Sequence, residues 1–182
     1  SGFSVNFGPF THAYPAGTYP QPSQILAMRV LQQNLGRRPI VWASTAGRDF
    51  VGLGDYVVQR GLGFTFGTAP ADTTAPGIRA TAFGGPPVDI PATRRLAWET
   101  YRYAGLLSGE PADLESTSAS IANTLSLPFA QLAAAAEEAG DSAAVARNLA
   151  RSLQIAPNPA LRAAFDQLRL RRFDPQVEPD SR

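Results

Sequence analysis

Two short stretches decide the fold: Pro39-Ile40-Val41-Trp42-Ala43-Ser44 and Gly63-Phe64-Thr65-Phe66. Each is a run of β-branched and aromatic side chains bounded by Gly, Pro or turn-forming residues, the make-up of a buried strand. Between them lies a turn at residues 45–48. Residues 54–60 then read as a short helix closed by Gly61. Upstream, Ser23 is a good N-cap after Pro22, and Ile25, Leu26, Met28, Leu31 and Leu35 fall near helical spacing. Gly36 supplies the stop. Strands alternating with helices in this way predict a small α/β layer.

Working outward, residues 1–22 read as an extended, Pro-rich aromatic arm. Phe3, Val5 and Phe7 alternate with small or polar residues, and Phe10, Tyr14 and Tyr19 are interleaved with Pro9, Pro15 and Pro20. Two readings fit: an edge strand packed on its own core, or an arm lying on a partner. Residues 67–88 are a Pro/Gly loop within a domain spanning 23–107. A helix starts at Asp89 or Pro91, carries Leu96, Trp98, Tyr101 and Tyr103, and ends at Gly105. From residue 114 to 172 the pattern is helical. One helix covers about 116–139 with Pro128 inside it. Asp141 caps the next, in which Val145, Leu149 and Leu153 repeat every four residues. Leu161, Phe165 and Leu168 mark a last helix, and 173–182 is a polar tail. The expected class is therefore α+β or α/β: a strand-helix-strand layer followed by an all-helical part.

Composition excludes several functions. The formal net charge is +1, with sixteen Lys+Arg against fifteen acids, which argues against bulk attraction to nucleic acid. Every basic residue is Arg, a compositional bias rather than a mechanism. There is no cysteine, so disulfides, thiolate metal sites and cysteine nucleophiles are out. The uncharged stretch 116–136 carries too many Ser, Thr, Asn and Gln to span a bilayer. The chain opens on Ser1, as expected of a processed product or a piece of a longer protein.

A search for chemistry finds little. His12 is the sole histidine and stands in the Pro-rich arm with no nucleophile motif beside it. Gly61, Gly63 and Gly67 are misplaced for a dinucleotide loop, which needs a helix start after the glycines. Asp49 and Asp55 are close in sequence, yet no aromatic subsite pattern accompanies them. No catalytic residue, metal or cofactor is expected. The candidate interaction residues are the aromatics Phe3, Phe7, Phe10, Tyr14 and Tyr19, and a basic patch of Arg162, Arg169, Arg171 and Arg172 opposed only by Asp166 in that stretch. The aromatics offer rigid contact area, and the arginines offer bidentate pairing to acidic surfaces or lipid headgroups.

Three resemblances add to this reading. Residues from Gly140-Asp141 to Pro157-Asn158 resemble the second half of a tetratricopeptide repeat, a unit that usually binds proteins. The stretch 35–44 (Leu-Gly-Arg-Arg-Pro-Ile-Val-Trp-Ala-Ser) and the stretch 52–62 (Gly-Leu-Gly-Asp-Tyr-Val-Val-Gln-Arg-Gly-Leu) resemble motifs in a bacterial membrane-protein family. Its members have a multi-spanning, GT-C-like part similar to protein O-mannosyltransferases, followed by an extramembrane C-terminal domain. That resemblance covers about residues 20–168 and lacks the membrane part, where the family's catalytic acid lies. The chain is also similar to an extrinsic small subunit of Gemmatimonas-type photosynthetic reaction-centre and antenna complexes. The resemblances imply a non-catalytic extrinsic subunit on the periplasmic side of the inner membrane. Its expected partners are protein subunits of a membrane complex, with peripheral membrane contact and no small-molecule substrate or nucleic acid. The alternative is an accessory domain of a lipid-linked-sugar glycosyltransferase.

Overall fold

The computed structural model describes residues 2–81, 84–103, 107, 116–160, 162, 163 and 166. The chain divides into two compact units, Ser1–Tyr101 and a second from residue 102 onward.

The first unit opens with an antiparallel hairpin, β1 (Phe3–Phe7) and β2 (Phe10–Tyr14). Gly8 makes the tight turn at φ +61°, a conformation that favours glycine. The expected extended arm is thus a folded hairpin over most of its length. Phe7 and Tyr14 end their strands buried in the core because period-2 alternation points them inward. Helix α1 (Pro22–Asn34) follows. Its cap is Gln21 rather than Ser23: the Gln21 N–H donates to the Gln24 side chain at 2.6 Å, and Pro22 occupies the first turn, where no N–H is needed.

A five-stranded mixed sheet completes the unit: β3 (Val41–Ala43), β4 (Val57–Arg60), β5 (Gly63–Phe66), β6 (Ile78–Arg79) and β7 (Val88–Asp89), in the order β3-β5-β4-β7-β6. β4 and β7 are parallel; the other neighbours are antiparallel. The helix expected over 54–60 is overturned. A single 3₁₀ turn, Gly54–Tyr56, leads into β4, which pairs with β5 as a hairpin. Val57-Val58 favours a pleated strand, and alternation of buried Val57 and Gln59 with the more exposed Val58 and Arg60 fits period 2, not 3.6.

Residues 61–62 form the hairpin turn, and the following helix clamps it. Thr93 Oγ1 accepts from Gly61 N–H at 3.0 Å, and the Tyr101 hydroxyl accepts from Leu62 N–H at 3.1 Å. That helix, α2 (Ile90–Arg95), is capped by Asp89 and continues as one π turn over Leu96–Thr100. It stops there, so Tyr101 and Tyr103 lie beyond it rather than inside it. Tyr101 is extended, at ψ 145°, which frees its hydroxyl to reach the hairpin. Phe7, Leu31, Leu53, Val57 and Phe64 form the middle of the core. Burying each side chain stabilises by about 1.5–3 kcal/mol.

In the second unit, α3 (Ser116–Glu138) contains Pro128, and α4 (Ser142–Ile155) is capped by Asp141, whose carboxylate accepts from Ala144 N–H at 2.9 Å. Ala133, Ala134, Ala136, Ala144 and Val145 are buried between the two helices. Their small side chains permit close approach. The Ser152 hydroxyl then donates across to the Ser126 carbonyl at 3.2 Å. The fold is α+β, with the sheet in the N-terminal half and helices in the C-terminal half. Residues 161, 165 and 168, expected to mark the last helix, lie outside the described residues, as does the tail 173–182. No helix among the described residues is long and apolar enough to cross a membrane.

Candidate interaction surface

The hairpin β1–β2 brings its aromatics onto the turn Asp49–Gly52. Phe3 stacks on Tyr14 at 4.8 Å, and Phe10 stacks on Tyr56 at 4.0 Å. Beneath them, Phe50 and Val51 both take positive φ, +48° and +50°. A β-branched residue in that region is strained by roughly 1–3 kcal/mol, so neighbouring structure must hold it. Three side chains do so. The Tyr14 hydroxyl donates to the Val51 carbonyl at 2.6 Å, the Asp49 carboxylate accepts from Val51 N–H, and Gln24 on α1 donates to the same carboxylate. Burial, helped by the Asp49 charge, pushes the Tyr14 phenol up to about 12, so it stays a donor at every ordinary pH.

Two open clefts flank this turn. One, of about 490 Å³, lies between Tyr14, Tyr19, Gln24, Met28 and Asp49. The other, of about 680 Å³, is bordered by His12, Arg48, Asp55, Tyr56 and Pro86. His12 meets Tyr14 edge-on at 4.7 Å. Among the described residues, no group of three His, Cys, Asp or Glu could hold a metal ion. The Asp49 carboxylate is engaged in holding the turn. The arrangement can bury contact area; it brings no nucleophile, base and orienting group together.

Of the aromatics singled out in the sequence, Phe7 and Tyr14 belong to the core. Phe3 and Phe10 are half-buried against it, and Tyr19 alone stands clear, 86% exposed. Arg162 is exposed beside a small cleft with Leu153, Pro157, Asn158 and Pro159; Arg169, Arg171 and Arg172 lie outside the described residues. Sequence reading missed the outer face of α1. Leu26 is 65% exposed and Val30 47%, with Ile25 beside them. The signal was present: Met28, Leu31 and Leu35 already form one stripe, and Leu26 sits roughly 200° around the helix from Met28 at about 100° per residue. No protein-family model, curated protein or solved structure matches the chain.

Proposed function

We propose that the chain is a non-catalytic extrinsic subunit that stabilises a larger membrane protein complex from its periplasmic side. The observation that carries this reading is the apolar outer face of α1, where Leu26 and Val30 stand one turn apart and largely exposed. Large apolar side chains grouped on one face are what a partner covers. Tyr19, just upstream of α1, adds a rigid amphipathic ring of the kind enriched in binding hot spots. The resemblance to extrinsic subunits of photosynthetic reaction-centre and antenna complexes supplies the kind of complex. Replacing Leu26 and Val30 together by Ser tests it. The double variant is expected to fold normally and to be lost from the complex when native membranes are extracted in mild detergent. Retention equal to the unaltered chain would remove the basis for the reading.

The stretches 35–44 and 52–62, which carry the resemblance to the GT-C-like family, support the second reading of an accessory glycosyltransferase domain. That reading predicts a native polypeptide much larger than 19.3 kDa, and intact-mass measurement separates the two.

A further inference from the structure

The five-stranded sheet ends in β3, which among the described residues has β5 as its neighbour on one side and none on the other. Its register settles where its peptide groups point. The Ile40 carbonyl accepts from Phe66 N–H at 3.4 Å, and Ser44 N–H donates to the Leu62 carbonyl at 3.1 Å. Both bonds are in phase with the Trp42↔Phe64 pair. In an antiparallel ladder, bonded pairs alternate with non-bonded ones. Ile40, Trp42 and Ser44 therefore turn toward β5, and the N–H groups of Val41 and Ala43, with the Val41 carbonyl, turn outward. Among the described residues, no hydrogen bond reaches the Val41 peptide groups. The Val41 side chain is 65% exposed as well. Outward N–H and C=O groups beside an exposed β-branched residue form a template for one more strand.

Charge decides the occupant. Arg37 and Arg38 precede the strand, and Arg48 follows the turn after it; all three are exposed, and none has a carboxylate within ion-pair distance among the described residues. A second copy paired antiparallel through Val41 and Ala43 would bring the Arg37-Arg38 turn before one strand to the end of the edge where the other chain carries Arg48. Like charges would meet at both ends. An acidic strand meets opposite charge at both ends instead.

We propose that the β3 edge receives an extended segment of a partner protein flanked by acidic residues, adding a sixth strand to the sheet. This rests on the docking reading above but uses a different surface from the α1 face. The test uses the purified full chain and two synthetic peptides, Glu-Glu-Thr-Val-Thr-Val-Thr-Glu-Glu and its counterpart with Lys at each Glu. The acidic peptide is expected to slow amide hydrogen exchange at Val41 and Ala43 by about tenfold or more, and to bind roughly tenfold tighter than the Lys peptide. Val41→Pro removes an outward N–H without touching the β3–β5 ladder, and it should weaken binding by about as much. Arg37→Glu with Arg38→Glu, both at exposed positions, should reverse the peptide preference. The proposal is overturned by unchanged exchange at saturating acidic peptide or by equal binding of both peptides. It is also overturned by a dimer whose Val41 and Ala43 amides are protected without peptide. Peptide binding decides the edge inference, and loss of the Leu26/Val30 variant from the membrane complex decides the docking reading, so either can fail alone.

Discussion

Tyr14 ties a strained turn to the hairpin above it, and its single hydroxyl bond can be tested in two ways. Tyr14→Phe leaves the Val51 carbonyl without its donor and should lower stability by about 1–3 kcal/mol at neutral pH. The pH effect has a definite sign. The phenol's ordinary value is 10.0 and burial raises it to about 12 in the folded chain. Below the lower value both states hold the proton. Between the two, only the unfolded chain releases it, so unfolding is favoured as pH rises. The melting temperature should fall between about pH 10 and about pH 12, and fall less steeply in Tyr14→Phe. A second residue test concerns Gly61, at φ +58°, where a Cβ would come within 2.5 Å of the Tyr101 hydroxyl. Gly61→Ala should destabilise by about 1–3 kcal/mol, measured by denaturant unfolding.

Helix α1 was legible in sequence as a helix, but its apolar residues serve two faces. Met28 and Leu31 are buried, while Leu26 and Val30 are not. Leu31→Ala should cost about 2–5 kcal/mol, and Leu26→Ser with Val30→Ser should stay within about 0.5 kcal/mol per site. Chemical denaturation of the two variants side by side reads the contrast. The strands β3 and β5 were equally legible, because their aromatic and β-branched runs have no competing reading. β4 was not. A seven-residue segment closed by glycine satisfies a short helix and a hairpin strand alike, and only pairing with β5 separates them. Tyr101 escaped for a related reason: an aromatic at helical spacing looks like core, and nothing local reveals that its hydroxyl caps a turn thirty-nine residues away. In the second unit, Asp141 and the spacing of Val145 and Leu149 placed α4 correctly, since cap and period agree there.

At the scale of the molecule, composition sets what the sequence can offer: one histidine, no cysteine and scattered carboxylates. The surface proposed to bind was less readable. Of the five aromatics picked out from the N-terminal stretch, two face the core, because a Phe in a β-strand looks the same in sequence whether its face is covered by the chain itself or by a partner. Exposure, not residue type, points to α1 and the β3 edge. Whether this polypeptide works as a docked subunit is asked most directly by size analysis of complexes gently extracted from native membranes. The prediction is that the chain travels in a fixed ratio with a large membrane assembly and leaves it when Leu26 and Val30 become Ser. A chain that travels alone as a 19.3 kDa species would contradict it.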